Sequence, residues 1–161
     1  MIKHGIPVYD GIVMGNARLY RQWRFDPDSL HESEDAAERT QAYQAAVERA
    51  QGELELIRAS LSAAPEKAKI IDAHMLLLQD FAMDDMIRAD IAAGKTAASA
   101  IGDTYDMFIG VLGDTDNDFT QQKVSDLYDV RGRLLRCLAG EEDRDLSRLP
   151  GPCVIFAKDL Y

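Results

Sequence analysis

The middle of the chain carries the hydrophobic pattern of a long amphipathic helix. Apolar or small residues recur mostly three or four positions apart, which places them in one stripe along a helix of about 30 residues. The stripe comprises Ala36, Thr40, Tyr43, Val47, Ala50, Leu54, Ile57 and Leu61. Ser29 to Glu32 fits a capping box, and Ser33 offers a second N-cap. A helix this long needs partners along most of its length, so the pattern predicts a helical bundle.

Turn residues divide the next part of the chain into four further helices. Pro65 separates the first helix from the second, Asp80 can cap the third, and Gly94 and Gly140 can end the third and the fifth. The predicted helices cover about residues 66–79, 81–93, 97–112 and 119–138.

Both ends of the chain have the pattern of β-strands. Residues 2–8 and about 13–21 read as strands separated by a turn at Asp10-Gly11, and 152–157 form a further apolar β-type segment. Strands on either side of a helical region indicate that one domain is inserted into another. We therefore predict a mainly α fold with a helical bundle at 22–145. It is inserted into an incomplete α/β domain formed by 1–21 and 146–161.

Composition and charge narrow the class of protein. The chain is 47% hydrophobic and 29% charged, as in soluble globular proteins, and its net charge of −10 argues against binding nucleic acid. No run approaches about 18 apolar residues, and the N-terminus lacks the apolar segment of a secretory signal. We expect a cytoplasmic protein that does not enter membranes. Cys137 and Cys153 read as buried small hydrophobes, without a disulfide or a zinc site.

An apolar run in the second predicted helix cannot be buried against a single neighbouring helix. At about 100° per residue, Met75 to Leu78 spread over about 300° of the helix circumference. Either several helices enclose this segment, or part of it is an exposed docking patch that Phe81 and Met83 enlarge.

The residue types that catalysis or metal binding would need do not form a recognisable site. The acidic segment 114–118 begins like a calcium loop, but Phe119 and Ser125 stand where that loop requires Gly and Glu, so an acidic inter-helix turn is favoured. His74 and Asp72 are two positions apart and cannot face each other on a helix, so we interpret His74 as a core or interface histidine. The residues alone predict an acidic helical bundle with a possible apolar docking face.

Four segments, in the same order, resemble the N-terminal part of the Enzyme I family, the phosphoenolpyruvate-protein phosphotransferases of the bacterial sugar phosphotransferase system. Gly5–Gly15 is similar to G-I-x-A-S-P-G-I-A-x-G, and Ile71–Asp80 to I-F-E-A-H-x-x-L-L-E-D. Ser125–Arg136 resembles A-D-V-R-D-I-G-x-R-L-L-R, and Val154–Leu160 resembles V-I-L-V-A-x-D-L.

The resemblance implies that the helical domain docks HPr, a basic phosphocarrier protein, for phosphoryl transfer from an enzyme phosphohistidine. The terminal strands would belong to the α/β domain that carries this histidine, within a G-G-x-x-S-H motif beyond the last strand. The chain would thus hold no catalytic residue and would be inactive alone. The phosphoenolpyruvate and magnesium sites and a dimerising domain would belong to the remainder of the parent enzyme, a homodimer.

The resemblance also implies a set of partner-binding residues. Apolar members would receive an apolar side chain of HPr, and acidic members would meet its basic residues. The set is Glu66, His74, Leu76, Leu77, Met83, Leu112 and Tyr128.

Several positions depart from the family pattern. Tyr128 replaces an Arg, and Ala82 and Pro65 fall where acidic docking residues are found. Alternatives are a non-enzymatic helical interaction module, a divergent paralogue serving another phosphocarrier, or a different multidomain enzyme that uses phosphoenolpyruvate.

Overall fold

The chain is mainly α-helical, as predicted. The computed structural model describes residues 11–20, 23–26, 30–113, 118–142 and 151–157, with the backbone alone at 118 and 119. The helices are α1 (Ala36–Ser60), α2 (Pro65–Leu78), α3 (Phe81–Ala92), α4 (Ala97–Gly113) and α5 (Asp118–Leu138). The strands are β1 (Asn16–Leu19) and β2 (Cys153–Phe156). Two compact units result: Arg24–Asp143, and Met1–Trp23 together with Arg144–Tyr161.

The helix limits follow from local signals. Pro65 is the first residue of α2, where its missing N–H costs nothing. The Asp80 carboxylate caps α3 by accepting from the Met83 amide at 3.0 Å. Gly94 and Gly140 have positive φ angles of 103° and 71°, which glycine adopts without a steric penalty. The predicted limits of α2 to α5 are therefore correct to within one or two residues.

The predicted start of α1 was wrong. The N-cap is Asp35, whose carboxylate accepts from the Ala37 amide at 2.7 Å, and α1 has 25 residues. The Ser33 hydroxyl accepts instead from the Asp35 amide at 3.1 Å, one residue before the helix. Ser29 lies outside the described residues.

The core of the bundle lies where α1, α3, α4 and α5 meet. Tyr43, Ala50 and Leu54 of the predicted stripe are buried, whereas Val47 and Ile57 are only half-buried. Opposite them lie fully buried side chains of α3, α4 and α5, among them Ile87, Ile91, Ile101, Leu127, Val130 and Leu134.

A residue before α1 and one in its first turn hold the turn between α3 and α4 in place. The Glu32 carboxylate accepts hydrogen bonds from the Ala97 and Ala98 amides at 2.6 and 2.9 Å, and so caps α4 from a distant part of the chain. The Arg39 guanidinium donates to the carbonyls of Gly94 and Lys95 at 2.8 and 2.7 Å. These four contacts fix the start of α1 against the far end of α3.

The second unit contains a parallel pair of strands. Asn16 pairs with Cys153 and Leu19 with Phe156. Gly15 favours the close approach of the two segments, because a Cβ there would lie 3.2 Å from the Pro152 carbonyl oxygen and the backbone would have to shift to admit it. Cys153 is half-buried, so its predicted full burial was wrong, whereas Cys137 is buried. The strand predicted at 2–8 and the acidic segment at 114–117 lie outside the described residues.

Candidate docking surface

Helix α2 is covered by the bundle on one side. It packs against α1 and α5, and of its fourteen residues only His74 and Leu78 are buried. Within the apolar run, Leu78 faces the core, Met75 and Leu77 are half-buried, and Leu76 is 69% exposed. The run is therefore neither fully enclosed nor fully exposed, because α2 has neighbours on one side only.

The exposed apolar surface continues across the turn into α3. Phe81, the first residue of α3, is 82% exposed, and Asp80 before it is also exposed. Leu76, Leu77, Asp80 and Phe81 form what we call the corner surface. Two large apolar side chains exposed on either side of one turn make this part of the surface a candidate interaction site.

Two of the residues implied by the resemblance are not on the surface. Met83 is 3% exposed and aligns with Ile87 and Ile91 on the buried face of α3. Its side chain cannot be reached by a partner in this conformation. His74 is likewise buried, as expected of a core or interface histidine. Leu112 is half-buried, whereas its neighbour Val111, which sequence reasoning missed, is 69% exposed.

His74 joins α2 to α5. Its Nε2 lies 3.3 Å from Oδ1 of Asp126, and both side chains are about nine-tenths buried. Burial raises the pKa of the nearby Asp129 carboxyl, and Asp126 raises it further, while His74 and Arg133 oppose the shift. Asp72, the sequence neighbour of His74, instead pairs with Arg58 of α1.

Tyr128 and Glu66 are both exposed, but both have partners within the chain. The Arg131 guanidinium lies 5.0 Å from the centroid of the Tyr128 ring and also pairs with the Asp106 carboxylate of α4. Glu66 accepts from Lys69 Nζ at 3.0 Å, which partly neutralises its charge. A cation thus lies beside Tyr128 although the family's Arg is missing at that position.

The described residues do not provide a metal site. Among them, no three His, Cys, Asp or Glu side chains are grouped so that they could hold an ion. Nor does any described helix combine the length and the apolar character needed to cross a membrane.

A family model decides the affiliation of the chain. The model described as "PEP-utilising enzyme, N-terminal" matches residues 4–123, about three quarters of the sequence. The chain belongs to this family. The matched residues include α1 to α4 and the first residues of α5.

Curated relatives agree with the family assignment. The chain is 33% identical over 162 residues to the phosphoenolpyruvate-protein phosphotransferase of Listeria monocytogenes, and 35% identical over 167 residues to that of Lactococcus lactis. The alignments cover 97% and 99% of this chain but 28% of each relative. The chain thus spans less than a third of the length of these relatives.

Solved structures show the same architecture. A solution NMR structure of Enzyme I superposes with a TM-score of 0.71 at 26% identity, covering 78% of this chain and 52% of that one. A structure described as the N-terminal domain of Enzyme 1 - Nitrogen gives a TM-score of 0.65 at 18% identity, which bears on the fold alone. The resemblance to the N-terminal part of Enzyme I is confirmed.

Proposed function

We propose that the chain is the N-terminal part of an Enzyme I-type phosphoenolpyruvate-protein phosphotransferase, and that its helical unit docks a basic phosphocarrier of the HPr type. The observation that carries the proposal is the corner surface, where Leu76 and Phe81 are exposed on both sides of the α2–α3 turn. The parent enzyme would transfer a phosphoryl group from its own phosphohistidine to a histidine of the carrier, in the cytoplasm.

The chemistry of the corner surface suits a partner with an apolar centre and a basic rim. Burying Leu76 and Phe81 would remove their apolar area from water, which is the main source of affinity in such contacts. Asp80 at the turn and Asp85 one turn into α3 are exposed carboxylates beside these side chains. Together with the net charge of −10, they would speed the encounter with a basic protein and orient it.

The role proposed for this part of the parent enzyme is positioning. Among the described residues we find no nucleophile paired with a base, and the single buried histidine, His74, is held by Asp126. Its contribution to transfer would be to hold the carrier so that two histidines can approach, which lowers the entropic part of the barrier.

The test is a heteronuclear NMR titration with the HPr of the same organism, at low and moderate salt. We expect shifts at Leu76, Leu77 and Phe81, and an affinity that weakens with salt because rim charges are screened. Leu76→Ala and Phe81→Ala should each weaken binding about tenfold. The matched control is Leu56→Ala on α1, a residue that is similarly exposed at 70% but lies outside the corner surface.

One outcome would contradict the proposal. If a folded HPr produces no shifts, or if Leu56→Ala weakens binding as much as Leu76→Ala, the corner surface is not its docking site. The stacked pair of Tyr128 and Arg131, which departs from the family pattern, then favours a different carrier as partner. The same titration with other small phosphocarriers of that organism would identify it.

A further inference from the structure

We propose that His74 is a positioning residue, which fixes the rotation of α2 through Asp126 and thereby sets the place of Leu76 in the corner surface. The inference rests on the proposed docking function and adds to it the group on which the geometry of the docking surface depends. His74 would act without touching the partner, because it is buried on the inner side of α2.

Helix α2 has few other constraints. Its N-cap, Ala64, makes no side-chain hydrogen bond, and Leu78 is its only other buried residue. On the α1 side, Arg58 pairs with Asp72, but both side chains are about half exposed. Exposed ion pairs contribute little to stability, because water and salt screen them and side-chain entropy opposes them. Beside the apolar packing of its half-buried residues on α1 and α5, the contact between His74 and Asp126 is therefore the buried, directional contact that holds α2.

Helix geometry relates this contact to the docking surface. His74 and Leu76 are two residues apart, about 200° around the helix, so they lie on nearly opposite sides of α2. With a helix radius of about 5–6 Å including side chains, a rotation of about 20° would displace the Leu76 side chain by about 2 Å. A displacement of that size is enough to spoil an apolar side chain's fit in a partner's pocket.

The hydrogen bond between His74 and Asp126 holds the imidazole ring in one orientation. Asp126 is buried and needs a donor, which an imidazole N–H supplies with a fixed orientation of the ring. Asp129 and Arg133 of α5 lie close enough to influence the same cluster. An apolar residue at position 74 would leave the Asp126 carboxylate buried without this donor, so α2 and α5 would move apart to admit water. A glutamine could still donate to it.

The test is a double-mutant cycle in the full chain, with HPr as the probe and affinity measured by titration calorimetry. We expect His74→Leu to weaken binding about five- to tenfold and to reduce the additional loss caused by Leu76→Ala. His74→Gln should restore most of the affinity and the full Leu76→Ala effect. A role in global stability alone would leave the Leu76→Ala effect unchanged, because the folded molecules would be the same.

A second variant covers the case in which His74→Leu does not fold. Replacing both partners, as His74→Leu with Asp126→Leu, removes the unsatisfied carboxylate and should fold, yet it should still bind weakly. Wild-type affinity in this variant, or an unchanged Leu76→Ala effect, would overturn the inference.

A measurement made without HPr distinguishes a failure of this inference from a failure of the proposed docking function. Residual dipolar couplings should show α2 rotated relative to α5 in the apolar variants and restored in His74→Gln. If the wild-type chain does not bind HPr, the docking function fails, while the couplings still decide whether His74 orients α2. Unchanged couplings would refute the positioning role.

Discussion

Glu53 is the residue whose removal should weaken the contact between α1 and α5 most clearly. Its carboxylate pairs with Arg133 at 2.8 Å and with Arg136, and its side chain is 20% exposed, against 9% for Arg136. Burial alone would raise the pKa of Glu53, but the guanidinium groups of Arg136 and Arg133 hold it below its ordinary value. The ionised form is therefore the one that stabilises the folded state.

The perturbation is Glu53→Gln, which keeps the shape and removes the charge. The charge-assisted contacts to the two guanidinium groups, Arg133 and Arg136, are worth about 1.5–3 kcal/mol for each group. A glutamine oxygen retains part of this, and the partial exposure of the carboxylate screens the remainder, so we expect a loss of about 2–4 kcal/mol at pH 7. The corresponding fall in Tm is roughly 5–15 °C for a protein of this size.

The assay is urea unfolding and thermal melting followed by circular dichroism. Glu55→Gln is the matched control, since Glu55 is an exposed residue of the same helix, and it should change the free energy of unfolding by less than about 0.5 kcal/mol. Because the pKa of Glu53 is lowered on folding, the difference between wild type and Glu53→Gln should be full above about pH 5. It should shrink as the pH falls through the folded-state pKa. Equal stabilities for the Glu53→Gln and Glu55→Gln variants at pH 7 would refute the reasoning.

Two further predictions concern stability. Leu54→Ala should lower the free energy of unfolding by about 2–5 kcal/mol, because Leu54 is fully buried, whereas Leu56→Ala should change it by less than about 0.5 kcal/mol; denaturant midpoints measure both. Asp129→Asn should raise Tm only slightly at pH 7, because Asp129 is exposed and solvent screens most of the cost of its charge, and it should have no effect at a pH below the unfolded-state pKa. The raised pKa of this carboxyl means that its charge opposes folding above the folded-state pKa, and a pH series of melts would show this. A lower Tm for Asp129→Asn at pH 7 would mean that the attraction of Arg133 outweighs the cost of burial.

The helix order could be predicted because its signals are local. Pro65, Asp80 and Gly94 act through their own backbone or the next turn, so a single sequence suffices to place them. The start of α1 was missed because Ser33 and Asp35 are both good caps, and only the structure shows which oxygen reaches the Ala37 amide.

The exposure of the corner surface was predictable only in part. An apolar run that spans the circumference of α2 is either enclosed by several helices or partly exposed, and the pattern alone does not decide between the two or say which residue is exposed. Leu76 is exposed and Leu78 is buried because of where α1 and α5 lie, and this depends on contacts far apart in sequence. The partner of His74 is 52 positions away, so no local pattern could have supplied it.

The carboxylate of Glu32 makes the first turn of α4 depend on residues that precede α1. The amides of Ala97 and Ala98 have no acceptor within α4, as at the start of any helix, and Glu32 is the group that bonds them. Compared with the protection of later α4 amides, their protection from hydrogen exchange therefore reports whether the segment before α1 is in place. Two amide signals would thus follow the attachment of the segment that joins the bundle to the rest of the chain.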